Sequence, residues 1–123
     1  MTYCDGLALG GRDDWHLPTI NELRSLIRGC PATETGGSCG VTDTCLGDGC
    51  RNDACVGCSF LGGPGTGEAY WPPRLGGTAY WYWSSSSYAG GASNAWSVAF
   101  HCGYVDYYDE TLTVYVRCVR PGP

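Results

Sequence analysis

Thr19-Ile20-Asn21-Glu22, followed by Leu23, Leu26 and Ile27, is the stretch on which the fold reading turns. Thr-x-x-Glu is a capping box: the threonine hydroxyl can accept the third helical N–H, and the glutamate can reach back to the cap N–H. Pro18 stands just outside, where a helix boundary is common. Ile20, Leu23, Leu26 and Ile27 then recur on one face at helical spacing. Gly29 and Cys30-Pro31 stop the helix, so the pattern predicts one helix over about 19–28 with its apolar face on a core.

Beyond Cys30 the character changes. Six of the nine cysteines fall between Cys30 and Cys58, spaced by Gly, Asp, Thr and Asn, with no periodic apolar pattern. This reads as a stapled loop insert over 30–58 without a core of its own. Gly62-Gly63-Pro64-Gly65 reads as a flexible turn. Aromatics cluster at Tyr70, Trp71 and Tyr80 to Trp83, and Pro72-Pro73 limits any central strand there. In the last third, Trp96, Val98 and Phe100 alternate with Ser97, Ala99 and His101, the mark of a half-buried strand. Gly103 offers a turn, Tyr104 to Asp106 a second strand, and Thr113 to Val119 a third. A strand–turn–strand meander is the natural expectation. The fold class is therefore α+β, with small antiparallel sheets and long loops.

The 123 residues suit one domain. Residues 1–120 are expected to form it, with 121–123 as a tail. The start reads as a boundary inside a longer exported protein, with no signal peptide in view. The formal charge is −5, and all seven cations are arginines dispersed along the chain. That leaves no electrostatic footprint for nucleic acid and no basic face for a membrane. No apolar run approaches the ~20 residues of a membrane span.

Nine cysteines point to an oxidising compartment, secreted or at a cell surface. We expect Cys4 to pair with Cys118, and Cys30 with Cys39, closing a local loop. Cys45, Cys50, Cys55 and Cys58 should make two bridges among themselves, in an order that spacing does not settle. Cys102 is left over, as a free thiol or an intermolecular partner. Cys50-x4-Cys55-x2-Cys58 matches part of an iron–sulfur spacing, but disulfide density argues against a cluster. Asp43, Asp48 and Asp53 each precede a cysteine by two and read as turn formers rather than Ca²⁺ ligands. No metal or other cofactor is expected.

Tyr3-Cys4-Asp5-Gly6-Leu7, Asp14-Trp15-His16-Leu17-Pro18-Thr19 and Asn21-Glu22-Leu23 resemble the start of the Lcl C-terminal-domain family of bacterial surface proteins. Tyr82-Trp83-Ser84-Ser85-Ser86, Ala95-Trp96-Ser97-Val98 and Tyr115 to Arg120 resemble its later motifs. The resemblance frames nearly the whole chain except the cysteine-rich insert. It implies a C-type-lectin-like fold with the terminal strands side by side, and extracellular binding, in some members to glycans or host surfaces. One departure is His16, where the family usually carries arginine, which puts in question any salt bridge expected at that point but not the fold.

Some C-type-lectin-like proteins are targets of diversity-generating retroelements, which randomise adenines in asparagine codons. Ser97, Ala99, His101, Cys102, Tyr104, Asp106 to Asp109 and Thr111 to Val114 all belong to the residue set such codons yield. Trp96, Val98, Phe100, Gly103 and Val105 read as scaffold between them. The candidate ligand-binding surface is therefore Ser97, Ala99, His101, Tyr104, Asp106, Tyr107, Tyr108, Asp109, Thr111 and Thr113. Tyrosine supplies stiff, amphipathic contact area at low entropic cost, and the aspartates add acceptors. Strand alternation should leave His101, Tyr104 and Asp106 outward. The expected partner is a protein or glycan ligand on a cell or host surface. Two other readings are a structural module assembling through its disulfide loop, and an oxidase of the formylglycine-generating type. Catalysis is not expected, because adjacent His101 and Cys102 would point to opposite faces and no third group orients them.

Overall fold

The computed structural model describes residues 15–91, 93–109 and 115–119. Helix α1 (Ile20–Arg24) starts at the capping box: Glu22 N–H donates to Thr19 Oγ1 at 3.2 Å and Thr19 N–H to Glu22 Oε1 at 2.9 Å. The other early N–H groups are met from outside, Ile20 by Ser86 Oγ at 2.9 Å and Asn21 by Asp43 Oδ1 at 3.0 Å. Helix ends leave such donors unpaired, and here distant side chains pair them. His16 Nε2 lies 2.9 Å from Glu22 Oε1, so the imidazole still finds the capping glutamate. The regular α-helix is shorter than the expected 19–28. Leu26 and Ile27 close tighter turns on Leu23 and Arg24, yet Ile20, Leu23 and Ile27 are buried as the spacing required.

Three antiparallel strands, β1 (Trp81–Ser87), β2 (Asn94–Ala99) and β3 (Tyr104–Asp109), lie in the order β1-β2-β3. Val98 faces Tyr82 and Val105, and these three share the core with Trp71, Trp96 and Phe100. A register shift between Trp83 and Ser87 breaks the β1–β2 ladder. Ser84 spans the break, donating to the Trp96 carbonyl at 2.6 Å and accepting from Ser86 N–H at 3.1 Å. Gly103 turns β2 into β3 at φ 74°, a conformation that favours glycine, and a Cβ there would also sit tightly, 3.1 Å from Cys30 Sγ.

The expected third strand of a meander is corrected. Tyr115 pairs in parallel with Tyr82 of β1, and Val119 pairs antiparallel with His16. The last segment thus lies beside β1 rather than next to β3. The cysteine-rich segment packs against β3 instead. The Asp53–Val56 turn packs against β3, and Arg51 reaches Asp106, whose Oδ1 accepts Tyr107 N–H at 2.8 Å. The His16–Val119 bridge does bring the two ends of the described chain side by side.

The segment 30–58 is no coreless loop. Cys30, Cys39, Val41 and Cys55 belong to the main apolar cluster. Its bridges are Cys30–Cys58, Cys39–Cys55 and Cys45–Cys50, nested one inside the next. Cys30 therefore does not pair with Cys39, and Cys45, Cys50, Cys55 and Cys58 make one bridge among themselves instead of two. Nesting follows from the path: the two arms of the segment run back together, so outer pairs with outer. At its centre Arg24, only 3% exposed, donates to the carbonyls of Thr33 (2.7 Å), Cys39 (3.0 Å), Val41 (2.5 Å) and Glu34 (3.0 Å). Burial pushes this guanidinium below its ordinary value. Cys118 is disulfide-bonded, whereas Cys4 lies outside the described residues. Gly62 to Gly65 is pinned rather than flexible, with Gly63 N–H on Glu68 O (2.9 Å) and Gly65 N–H on Ala69 O (2.8 Å).

Candidate ligand-binding face

Residues paired directly across an antiparallel ladder share a face. Trp81, Ala99 and Tyr104 are opposite one another, as are Trp83, Ser97 and Asp106, while Ala95 faces Tyr108. This is the sheet's outer face, turned away from Val98 and Val105. Trp81 is its centre, 5.6 Å from Tyr104 and 4.8 Å from Tyr108 between ring centroids. Its ring reaches diagonally across β2, above the small side chains of Ala99 and Ser97.

That roof corrects two of the expected contact residues. Ser97 and Ala99 are 0% exposed, and Ser97 Oγ donates to the Asp106 carbonyl at 3.0 Å. They form the floor beneath the aromatic rings and cannot touch a ligand. Asp106 is corrected too. It is buried, and its carboxylate is engaged by Arg51, whose guanidinium is held above its ordinary value first by that hydrogen bond. Tyr107 lies on the opposite face from Tyr104 and Tyr108, against Trp96 at 5.1 Å. Tyr104 and Tyr108 are half-buried on the outer face, and burial is the first cause raising both phenols above their ordinary values. Asp109 is exposed at the end of β3. Thr111 and Thr113 lie outside the described residues.

His101 extends the face at the start of the β2–β3 turn. Tyr80 stacks on it at 5.7 Å and 20°, Phe60 meets it edge-on at 5.4 Å, and Trp81 lies 6.3 Å away. Phe60 is 69% exposed and Tyr80 46%. Leu61, at φ 52°, holds Phe60 in this position, and its N–H bonds the His101 carbonyl at 2.7 Å. A left-handed leucine is uncommon and strained. Beside Tyr104 a cleft of about 200 Å³ opens, lined also by Arg51, Asn52, Asp53, Cys55 and Val56.

Sequence reasoning missed Phe60, Tyr80 and Trp81 as parts of this face. Tyr80 to Trp83 alternates like a strand, and that period was the available signal for Trp81.

Burial pushes His101 below the ordinary histidine value. The folded form therefore binds its proton less readily than the unfolded chain does. The stability linked to this neutral ring is complete above about pH 6.5 and is lost as pH falls further. Thermal melts at about pH 7 and about pH 5 should show a larger loss for the wild type than for His101→Gln. Equal losses would remove His101 from the account.

Cys102 has no disulfide partner, as expected, and burial raises its thiol. Among the described residues no His/Cys/Asp/Glu group could hold a metal ion, and no helix is long and apolar enough to cross a membrane. The bridges suit an extracellular module. No curated protein and no solved structure matches the chain significantly. The profile of the Lcl C-terminal domain matches residues 1–120, from the first tyrosine–cysteine motif to the final Arg-Cys-Val-Arg. The motifs around Trp15, Trp83, Trp96 and Cys118 thus have a common source: this chain belongs to the Lcl C-terminal domain family.

Proposed function

We propose that this is a non-catalytic ligand-binding module, secreted or held at a cell surface, that grips a protein or glycan through its outer aromatic face. The observation that carries the reading is the continuous set of half-exposed rings from Phe60 and Tyr80 through His101 and Trp81 to Tyr104 and Tyr108. Exposed aromatic clusters on a rigid support are characteristic of recognition surfaces. The nested bridges and the buried arginine supply that rigidity, which lowers the ordering cost of binding. A C-type-lectin-like architecture accords with the pairing of His16 and Val119. Non-catalytic action accords with a thiol at Cys102 kept protonated by burial, since the thiolate is the nucleophile. Diversification accords with Tyr104 and Tyr108, but the buried floor positions Ser97 and Ala99 gain nothing from variation.

The test is attachment of the labelled domain to arrays of immobilised glycans and extracellular-matrix proteins. Trp81→Ala and Tyr108→Ala should abolish the signals that the wild type gives. Tyr107→Phe, on the other face, should retain them, with all three melting within about 4 °C of the wild type. Attachment that survives Trp81→Ala would assign recognition to another surface.

A further inference from the structure

Tyr88 and Tyr107 lie apart from the outer aromatic face and form the closest ring pair among the described residues, with centroids 3.9 Å apart and planes 9° from parallel. The two rings therefore lie face to face, one over the other. The Tyr107 hydroxyl donates to Asp48 Oδ1 at 3.1 Å, and both rings are partly open to solvent. The Tyr88 hydrogen bond, burial and Asp48 together push the Tyr107 phenol up to about 12, so it is fully protonated at neutral pH.

We propose that Tyr88 and Tyr107 are an oxidative modification site, joined as an intrachain dityrosine when the domain meets a haem peroxidase and hydrogen peroxide. Each phenol gives one electron to the peroxidase and loses its hydroxyl proton. Asp48 accepts the proton of Tyr107 and passes it to solvent, and Tyr88 gives its own to solvent. The two phenoxyl radicals then couple through one ortho carbon of each ring. One C–C bond forms, and each ring regains aromaticity as its ortho hydrogen moves to its oxygen. Overall, two phenolic C–H bonds and one peroxide become one biaryl bond and two waters.

Neighbouring rings lack this combination. Tyr80 and Tyr115 meet edge-on at 6.0 Å. Tyr82 is buried and donates to the Thr78 carbonyl, which is no base. Trp96 touches both members of the pair, but it is 0% exposed and its N–H is held by the Leu46 carbonyl at 2.8 Å. The biaryl product needs one ring to swing toward the edge of the other. Neither ring is fully buried, so a closed core does not block that motion.

The test treats the full chain, at high dilution, with a haem peroxidase and hydrogen peroxide. The expected product is a monomer lighter by two hydrogens, with dityrosine fluorescence and a peptide link between Tyr88 and Tyr107. Tyr88→Phe keeps a stacked ring but loses the product. Asp48→Asn leaves the pair in place and slows its formation. Cross-links that join only other tyrosines or separate chains, or full yield in Tyr88→Phe, would overturn the proposal. An unchanged rate in Asp48→Asn would remove the carboxylate from it.

Discussion

Replacing Arg24 with alanine is expected to lower stability by about 3–5 kcal/mol, because it takes the donor away from the buried carbonyls of Thr33, Cys39 and Val41. Four backbone oxygens, those of Thr33, Glu34, Cys39 and Val41, take their hydrogen bonds from this one guanidinium. All four lie between residues 33 and 41, on the first arm of the cysteine-rich segment, so Arg24 ties α1 to that arm from within. Arg24→Lys should rescue only part of the loss, since a single ammonium with three donors cannot span the same spread of acceptors. Thermal melting under non-reducing conditions is the measurement. A drop of more than about 10 °C for Arg24→Ala fits this role, and a shift within about 2 °C refutes it.

The second large effect concerns the nested bridges. Removing the Cys39–Cys55 bridge with a double alanine substitution frees a loop of sequence separation 16 and opens space at two buried core positions. Loop entropy alone predicts a loss of about 3 kcal/mol, and the buried sulfurs add to it. Cys45–Cys50 closes a separation of only 5 between half-buried residues. Its removal should cost roughly 2 kcal/mol. Chemical denaturation of the two variants gives the ranking, and non-reducing peptide mapping gives the connectivity. Finding Cys30 linked to Cys39 would undo the nested arrangement and the ranking with it.

What the sequence made legible was local. Thr19 and Glu22 announce the cap because both halves of the box lie within one turn. Trp96, Val98 and Phe100 face inward as their alternation required, because the core on that side is continuous. Ser97 and Ala99 misled because β2 is the central strand and Trp81, far away in sequence, folds over it. Period-two patterning distinguishes two faces but cannot say that the second face is roofed. Asp106 reads as an exposed acceptor until Arg51 arrives from the insert. Arg24 looks like an ordinary basic residue near a helix end, and only the path of the cysteine-rich segment turns it inward. Cysteine spacing left the bridges open, since connectivity depends on which arms run together.

The covering of β3 by the insert has a consequence for crowding. An uncovered edge strand offers a ladder to which a neighbouring molecule can add its own strand. Here Arg51 and the Asp53–Val56 turn stand where that neighbour would dock. A second copy adding a strand along β3 would first have to displace Arg51 and this turn.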